Sequence, residues 1–181
     1  MGTAVNLYGP LPDNAGGYPV LTDFREWLGF EAAWHKGDIV GMVRVYRQLP
    51  PNVETAVKLA AEFYGGASLP YKHSNNRQST ALKTVDFLFD SQVIYAAFMA
   101  QYGIDLSAVQ LHWYKFCALF YGLTGQIIND ICGYRAAEPE KIKDKTRRAE
   151  VRRLKRIYAV PDDRTAHQRD QDNAQSLAAL F

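Results

Sequence analysis

Apolar residues along this chain recur mostly at three- and four-residue steps, the period of helices with one buried face, and seldom alternate as strands do. The opening stretch is the exception. Residues 9–17 (GPLPDNAGG) are turn formers, and residues 18–21 are the one plausible strand, an arm of a small hairpin. Thr22 or Asp23 then caps a first helix, with Glu26 at capping-box distance from Asp23. Phe24, Trp27, Leu28, Glu31 and Trp34 give that helix an aromatic face, and Lys36 and Gly37 are suited to its end. If Trp27 is buried as the period indicates, truncating it to Ala costs roughly 3–5 kcal/mol.

Residues 39–48 (IVGMVRVYRQ) carry two signals. Their β-branched content suits a strand, while Ile39, Met42, Val43 and Tyr46 keep helical spacing, and the helix is the favoured reading. Pro50-Pro51 stop it. Asn52 caps a helix over 53–64, with Ala56, Leu59, Ala60 and Phe63 on one side and Gly65-Gly66 at its end. The polar residues 67–80 read as a mobile surface loop turning at Asn75-Asn76.

A long helix is expected from Leu82 or Thr84 to Tyr102. Phe87, Ser91, Ile94, Phe98 and Gln101 form one line, Leu88, Tyr95, Met99 and Tyr102 the next, and Gly103 closes it. Ser107 opens another helix running through LHWYKFCALFYGL. It is apolar nearly all round, as suits a central helix or one that also meets a second copy; Gly122 and Gly125 break it. A shorter helix over 126–134 points Ile127, Ile128 and Ile131 inward. The last helix starts after Glu138, with Pro139 at its first position, and runs to about Tyr158 with Val151, Leu154, Ile157 and Tyr158 as a narrow apolar seam. The fold expected is all-α, about six or seven helices in one domain over 22–161. An irregular or hairpin segment over 1–21 precedes it and a flexible tail over 162–181 follows.

Composition narrows the function more than the fold. The 181 residues, 48% hydrophobic and 22% charged, make an ordinary globular chain, with 13% aromatics available for core or contact. The net charge is only +2, yet residues 141–156 hold nine Lys or Arg against two acids. That +7 leaves −5 for the remainder and suggests a partner of mixed or acidic charge. Cys117 and Cys132 sit in apolar helical stretches and read as small hydrophobes, with nothing else pointing to secretion. Residues 1–13 lack a basic head followed by an apolar run, so no signal peptide is expected. Asn6 stands where an acylation signal needs Ser or Thr. The apolar run over 111–123 is short and broken by His112 and Lys115, so no membrane association is expected.

Candidate chemistry is sparse. His35, His73, His112 and His167 are far apart and form no metal-ligand spacing with a cysteine or carboxylate; His112 is read as a helix residue whose ring finds a backbone or carboxylate partner. Asp86 and Asp90, one turn apart, could divide acid and base roles in an apolar pocket. The favoured reading puts Asp86 at the positive end of a helix and Asp90 in an ion pair with a Lys or Arg. No phosphate-binding glycine loop or nucleophile elbow occurs. Neither a catalytic site, a metal nor a cofactor is therefore expected. The basic helix, with Arg148, Arg152 and Lys155 as its representative contacts, fits a solvated surface first, an acidic protein partner second and nucleic acid third. It lacks aromatics for base stacking.

Four segments in order, DFREW (23–27), FDSQVIYAAFMAQYGIDL (89–106), LHWYKFCALFYGL (111–123) and ICGYR (131–135), followed by a basic helix ending in Tyr158 with Pro161 beyond, resemble the "gene product fifteen" family of long-tailed phages and prophages of Gram-positive bacteria. The resemblance covers most of residues 22–161. Genes of this family usually lie between those of the major tail protein and the tape-measure protein. The resemblance therefore implies a tail assembly chaperone that holds the tape-measure protein, with the major tail protein as a further partner; a second copy of the chain is the partner that the apolar helix over 111–123 would allow. It would act in the host cytoplasm and be absent from the mature virion. A head–tail connector or tail-completion subunit is the structural alternative, and a nucleic-acid-binding accessory protein using the basic helix is the other.

Overall fold

A computed structural model of the chain describes residues 9–67 and 84–161. The chain divides into two compact units, residues 1–137 and 138–181. The described residues are mainly helical: seven α-helices, one short 3-10 turn and a two-stranded hairpin. The loop expected over 67–80 (apart from Ala67), the tail expected over 162–181, His73 and His167 lie outside the described residues.

In the first unit, β1 (Asn14–Ala15) pairs antiparallel with β2 (Tyr18–Pro19). Gly16 and Gly17 both take positive φ, 60° and 90°, as the tight primed hairpin turn requires. Gly16 is needed for a second reason, since a Cβ there would come within 2.6 Å of Leu59 Cδ2. Beyond β2 the chain stays extended and meets residues 45–47: Leu21 N–H donates to Val45 O at 2.7 Å, and Val20 bridges Tyr46.

Helix α1 (Phe24–Lys36) begins at Asp23, whose carboxylate accepts from Arg25 N–H, and ends at Gly37 with φ 67°. Trp27 is fully buried, and its indole N–H donates to Leu21 O at 2.8 Å. Trp34, on the expected aromatic face, is 49% exposed. Residues 39–48 divide between the two signals they carry. The first half forms α2 (Ile39–Val43), capped by Asp38, and Val45 and Tyr46 take the strand-like pairing with residues 20–21. Helix α3 (Val53–Gly66) is capped by Asn52 as expected and buries Ala56, Ala60 and Phe63.

Two helices start later than their periodicity suggests. Helix α4 is Ser91–Tyr102, and of the start expected at 82 or 84 the described residues 84–90 form turns instead. Across residues 86–90, side chains take the amide hydrogens that a helix would have used. The Asp86 carboxylate accepts from Leu88 N–H and Phe89 N–H, and the Asp90 carboxylate from Asp86 N–H. Helix α5 is Trp113–Tyr121, because Asp105 closes a turn onto Ser107 and His112 becomes the cap instead of a helix residue. Its ring does find the expected backbone partners: Nδ1 accepts from Tyr114 N–H at 3.1 Å and Nε2–H donates to Pro12 O at 2.8 Å. Helix α6 (Ile127–Ala136) opens with a reciprocal Gln126–Asn129 capping box. It buries Ile128 and Ile131, whereas Ile127, expected inward, is 53% exposed because it sits on the solvent side of the first turn.

The core is built from rings around α5. Phe116, 1% exposed, stacks on Phe24 of α1 at 4.7 Å and on Phe98 of α4 at 5.3 Å, and meets Phe87 at 5.8 Å. Alongside, Trp27 stacks on Phe63 at 4.5 Å and Tyr64 on Trp113 at 4.9 Å. The starts of α1 and α5 are joined by backbone: Phe24 N–H donates to Leu111 O at 2.8 Å and Trp113 N–H to Thr22 O at 2.7 Å.

The second unit holds the 3-10 turn Pro139–Lys141 and α7 (Lys145–Ile157), so the single last helix expected from Pro139 is divided. Asp144 interrupts it by capping α7, its carboxylate accepting from Arg147 N–H at 2.6 Å.

Phe116→Ala removes the ring that three separate segments share. Its expected cost is about 3–5 kcal/mol in urea unfolding, against under about 1 kcal/mol for Phe89→Ala, whose ring is 53% exposed.

Candidate functional site

The carboxylate pair Asp86 and Asp90 is structural. Asp90, 3% exposed, receives both terminal nitrogens of Arg135, at 2.6 and 2.8 Å, and Arg135 also donates to Thr84 O at 2.7 Å. This two-point contact locks residues 84–90 to the last turn of α6. Asp86 spends its carboxylate on its own turn. The reading of Asp90 as an ion-paired residue therefore holds, and with both carboxylates bonded this way neither is held for acid–base work.

His112 is held neutral by burial, which lowers its pKa, and its two ring nitrogens are both engaged. His35 lies on the surface, 3.9 Å from Glu31. Cys117 is buried and Cys132 half-buried, both as free thiols. Burial, helped at Cys117 by the charge of Glu31, raises the Cys117 thiol well above its ordinary range and so keeps it unreactive at neutral pH. Among the described residues no three His, Cys, Asp or Glu side chains come together as a metal site, and no helix is long and apolar enough to cross a membrane.

One titratable cluster is not evident from spacing alone. Glu31 lies on the buried side of α1 with its side chain 17% exposed, and Tyr64 donates a hydrogen bond to it. Burial, with a smaller contribution from the Asp86 charge, pushes the Glu31 carboxyl up to about 7 against the pull of the Tyr64 hydroxyl. Tyr64 is raised in turn, first by burial and then by Glu31. The sequence does hold a signal, since Glu31 interrupts an otherwise aromatic face.

Two surfaces among the described residues are candidates for binding. On α4, Tyr95 and Met99 stand one turn apart, 38% and 42% exposed, and Leu88 in the preceding turn is 80% exposed. Beside them opens a cavity of about 420 Å³ between α1 and α4, walled by Phe24, Leu28, Ile94, Tyr95 and Leu106, with Phe116 among its lining. The 82–102 stripe was expected to face the core along both its lines. Instead Ile94, Ala97 and Phe98 bury while Leu88, Tyr95 and Met99 face out. The second surface is the basic helix. There Arg148 and Lys155 are half-buried, and Arg152 pairs with Glu140 at 3.2 Å. The three fall along one side of α7.

Glu31 makes stability depend on pH with a definite sign. Its folded-state carboxyl titrates near 7 and its unfolded one near 4.5, so the folded state holds the extra proton between those values and stability declines as pH rises through that window. Glu31→Gln keeps an acceptor for Tyr64 and removes the charge. The variant is expected to gain about 1–3 kcal/mol over the parent in urea unfolding at pH 8 and to match it within about 0.5 kcal/mol at pH 4.5. An equal difference at both pH values would show that the gain is not linked to this proton.

No match is found among curated proteins or among solved structures. The family model described as "Bacteriophage Gp15 protein" matches residues 14–160, a span that takes in the hairpin, all seven described helices and the aromatic core. The match bears out the resemblance carried by the four sequence segments: this chain is a phage protein and belongs to the Bacteriophage Gp15 protein family.

Proposed function

We propose that the protein is a tail assembly chaperone that binds the tape-measure protein while the tail tube forms, in the cytoplasm of the host. Membership of the Gp15 family supports a role in the phage, and the gene order implied by the family resemblance supports the tail. The observation that carries a binding role is the outward side of α4. A helix that buries Ile94, Ala97 and Phe98 on one side leaves Tyr95 and Met99 on the other, next to an open apolar cavity. Exposed apolar side chains beside a concavity are what a protein partner covers, and a mostly unfolded or helical client could lay its own apolar side chains there. Asp86, Asp90 and His112 are each engaged in hydrogen bonds that hold the fold and the Cys117 thiol is buried, which also favours a binding protein over an enzyme.

The experiment is co-expression with the tape-measure protein. The tape-measure protein is expected to be soluble and to co-purify only when this chain is present. Met99→Asp should abolish co-purification while leaving the circular dichroism spectrum and urea midpoint close to the parent's, since Met99 is 42% exposed, whereas Tyr95 is left in place because its hydroxyl is hydrogen-bonded to Asp105 and Ser107. A tape-measure protein equally soluble alone and never associated with this chain would refute the proposal.

A further inference from the structure

Helix α7 is two-faced. At 100° per residue, Lys145, Arg148, Arg152, Arg153, Lys155 and Arg156 fall within an arc of about 160° along a helix roughly 20 Å long, with Ala149 the one uncharged residue among them. Val151, Leu154 and Ile157 lie on the other side, together with Arg147. The single acid of the helix, Glu150, falls outside the basic arc. Six like charges on one face repel one another and are stabilised by a neutralising partner.

The described residues of the unit already contain an example of that interaction. Glu140, from the 3-10 turn, places Oε1 3.2 Å from an Arg152 terminal nitrogen. Its carboxyl is held below the usual range first by its own backbone N–H and then by Arg152. Among the described residues Lys145, Arg148, Arg153 and Arg156 have no carboxylate within ion-pair distance. Arg148, Arg152 and Arg156 repeat at every fourth residue, about 6 Å apart along the axis, and their forked guanidinium groups take carboxylates two bonds at a time.

We propose that this face docks an acidic segment of a partner protein, one with carboxylates at three- or four-residue intervals that continue the row begun by Glu140. No aromatic residue interrupts the basic arc, so it offers nothing on which bases could stack, and the anion seen against it among the described residues, Glu140, is a carboxylate. The inference concerns the chemistry of the contact and holds whether or not the tape-measure protein is the client.

The test uses the full chain and fluorescence anisotropy. The probes are a synthetic helical peptide carrying Glu at every fourth residue, the same peptide with Gln in place of Glu, and a 20-base-pair DNA duplex. At about 0.15 M salt the Glu peptide should bind at least tenfold tighter than either of the others, and should weaken further as salt rises. Replacing Arg148, Arg152 and Arg156 by Gln should lose at least about tenfold in affinity with helicity unchanged. The pair Lys145→Gln with Arg153→Gln, both side chains exposed, should lose severalfold and serves if the triple variant is unstable. The proposal is overturned if the duplex binds more tightly than the Glu peptide, if the peptide does not bind even at about 0.05 M salt, or if neither variant weakens it.

Discussion

The first unit depends on the burial of one ring. Phe116 on α5 is contacted by Phe24, Phe87 and Phe98, which come from α1, the turn before α4, and α4 itself. Each ring contact adds about 0.5–1.5 kcal/mol beyond the area it buries, and their geometry fixes where those three segments lie. The backbone joins the same elements at the starts of α1 and α5 through the Phe24–Leu111 and Trp113–Thr22 hydrogen bonds. Position and direction are thus set together, by the stacked rings and by the paired helix starts beside them.

That arrangement determines which polar groups become expensive and which surfaces stay open. Bringing residues 84–90 over the core buries Asp90, and the two-point contact with Arg135, together with the Asp86 N–H bond, makes its charge tolerable; removing Arg135 or Asp90 would strand the other. Glu31 is carried inward by the same packing of α1. Burial outweighs the pull of the Tyr64 hydroxyl, and Glu31 responds by holding its proton up to near neutral pH. On α4 the ring stack takes up Phe98 and Ile94 and leaves Tyr95 and Met99 outside. The apolar surface proposed for binding is therefore a by-product of how the core is closed.

Most helix ends were legible in the sequence because caps are local. Asp23, Gly37, Asn52 and Gly103 each act within a turn of their own position. The late starts of α4 and α5 were not, since Asp86, Asp90 and Asp105 compete with the helix for amide hydrogens, and the partner that settles Asp90 lies 45 residues away. Periodicity showed that α4 is apolar on more than one side but could not say which side a single chain covers. Ile127 failed for the same reason: spacing groups it with Ile128 and Ile131 without saying which of the three the rest of the chain covers. The basic helix was plain from composition, although its division by Asp144 was not. Arg148, Arg152 and Lys155 do fall on one side of α7, a placement any helical register over those residues would produce.

The central claim is that the outward side of α4 is where this phage protein meets its client. Site-specific photo-crosslinking tests it most directly, with benzoylphenylalanine in place of Tyr95 or Met99 and, as a control, of exposed Lys58 on α3. In cells also making the tape-measure protein, the account predicts crosslinks to that protein from positions 95 and 99 and none from 58. Crosslinks from 58 with silence at 95 and 99 would contradict it.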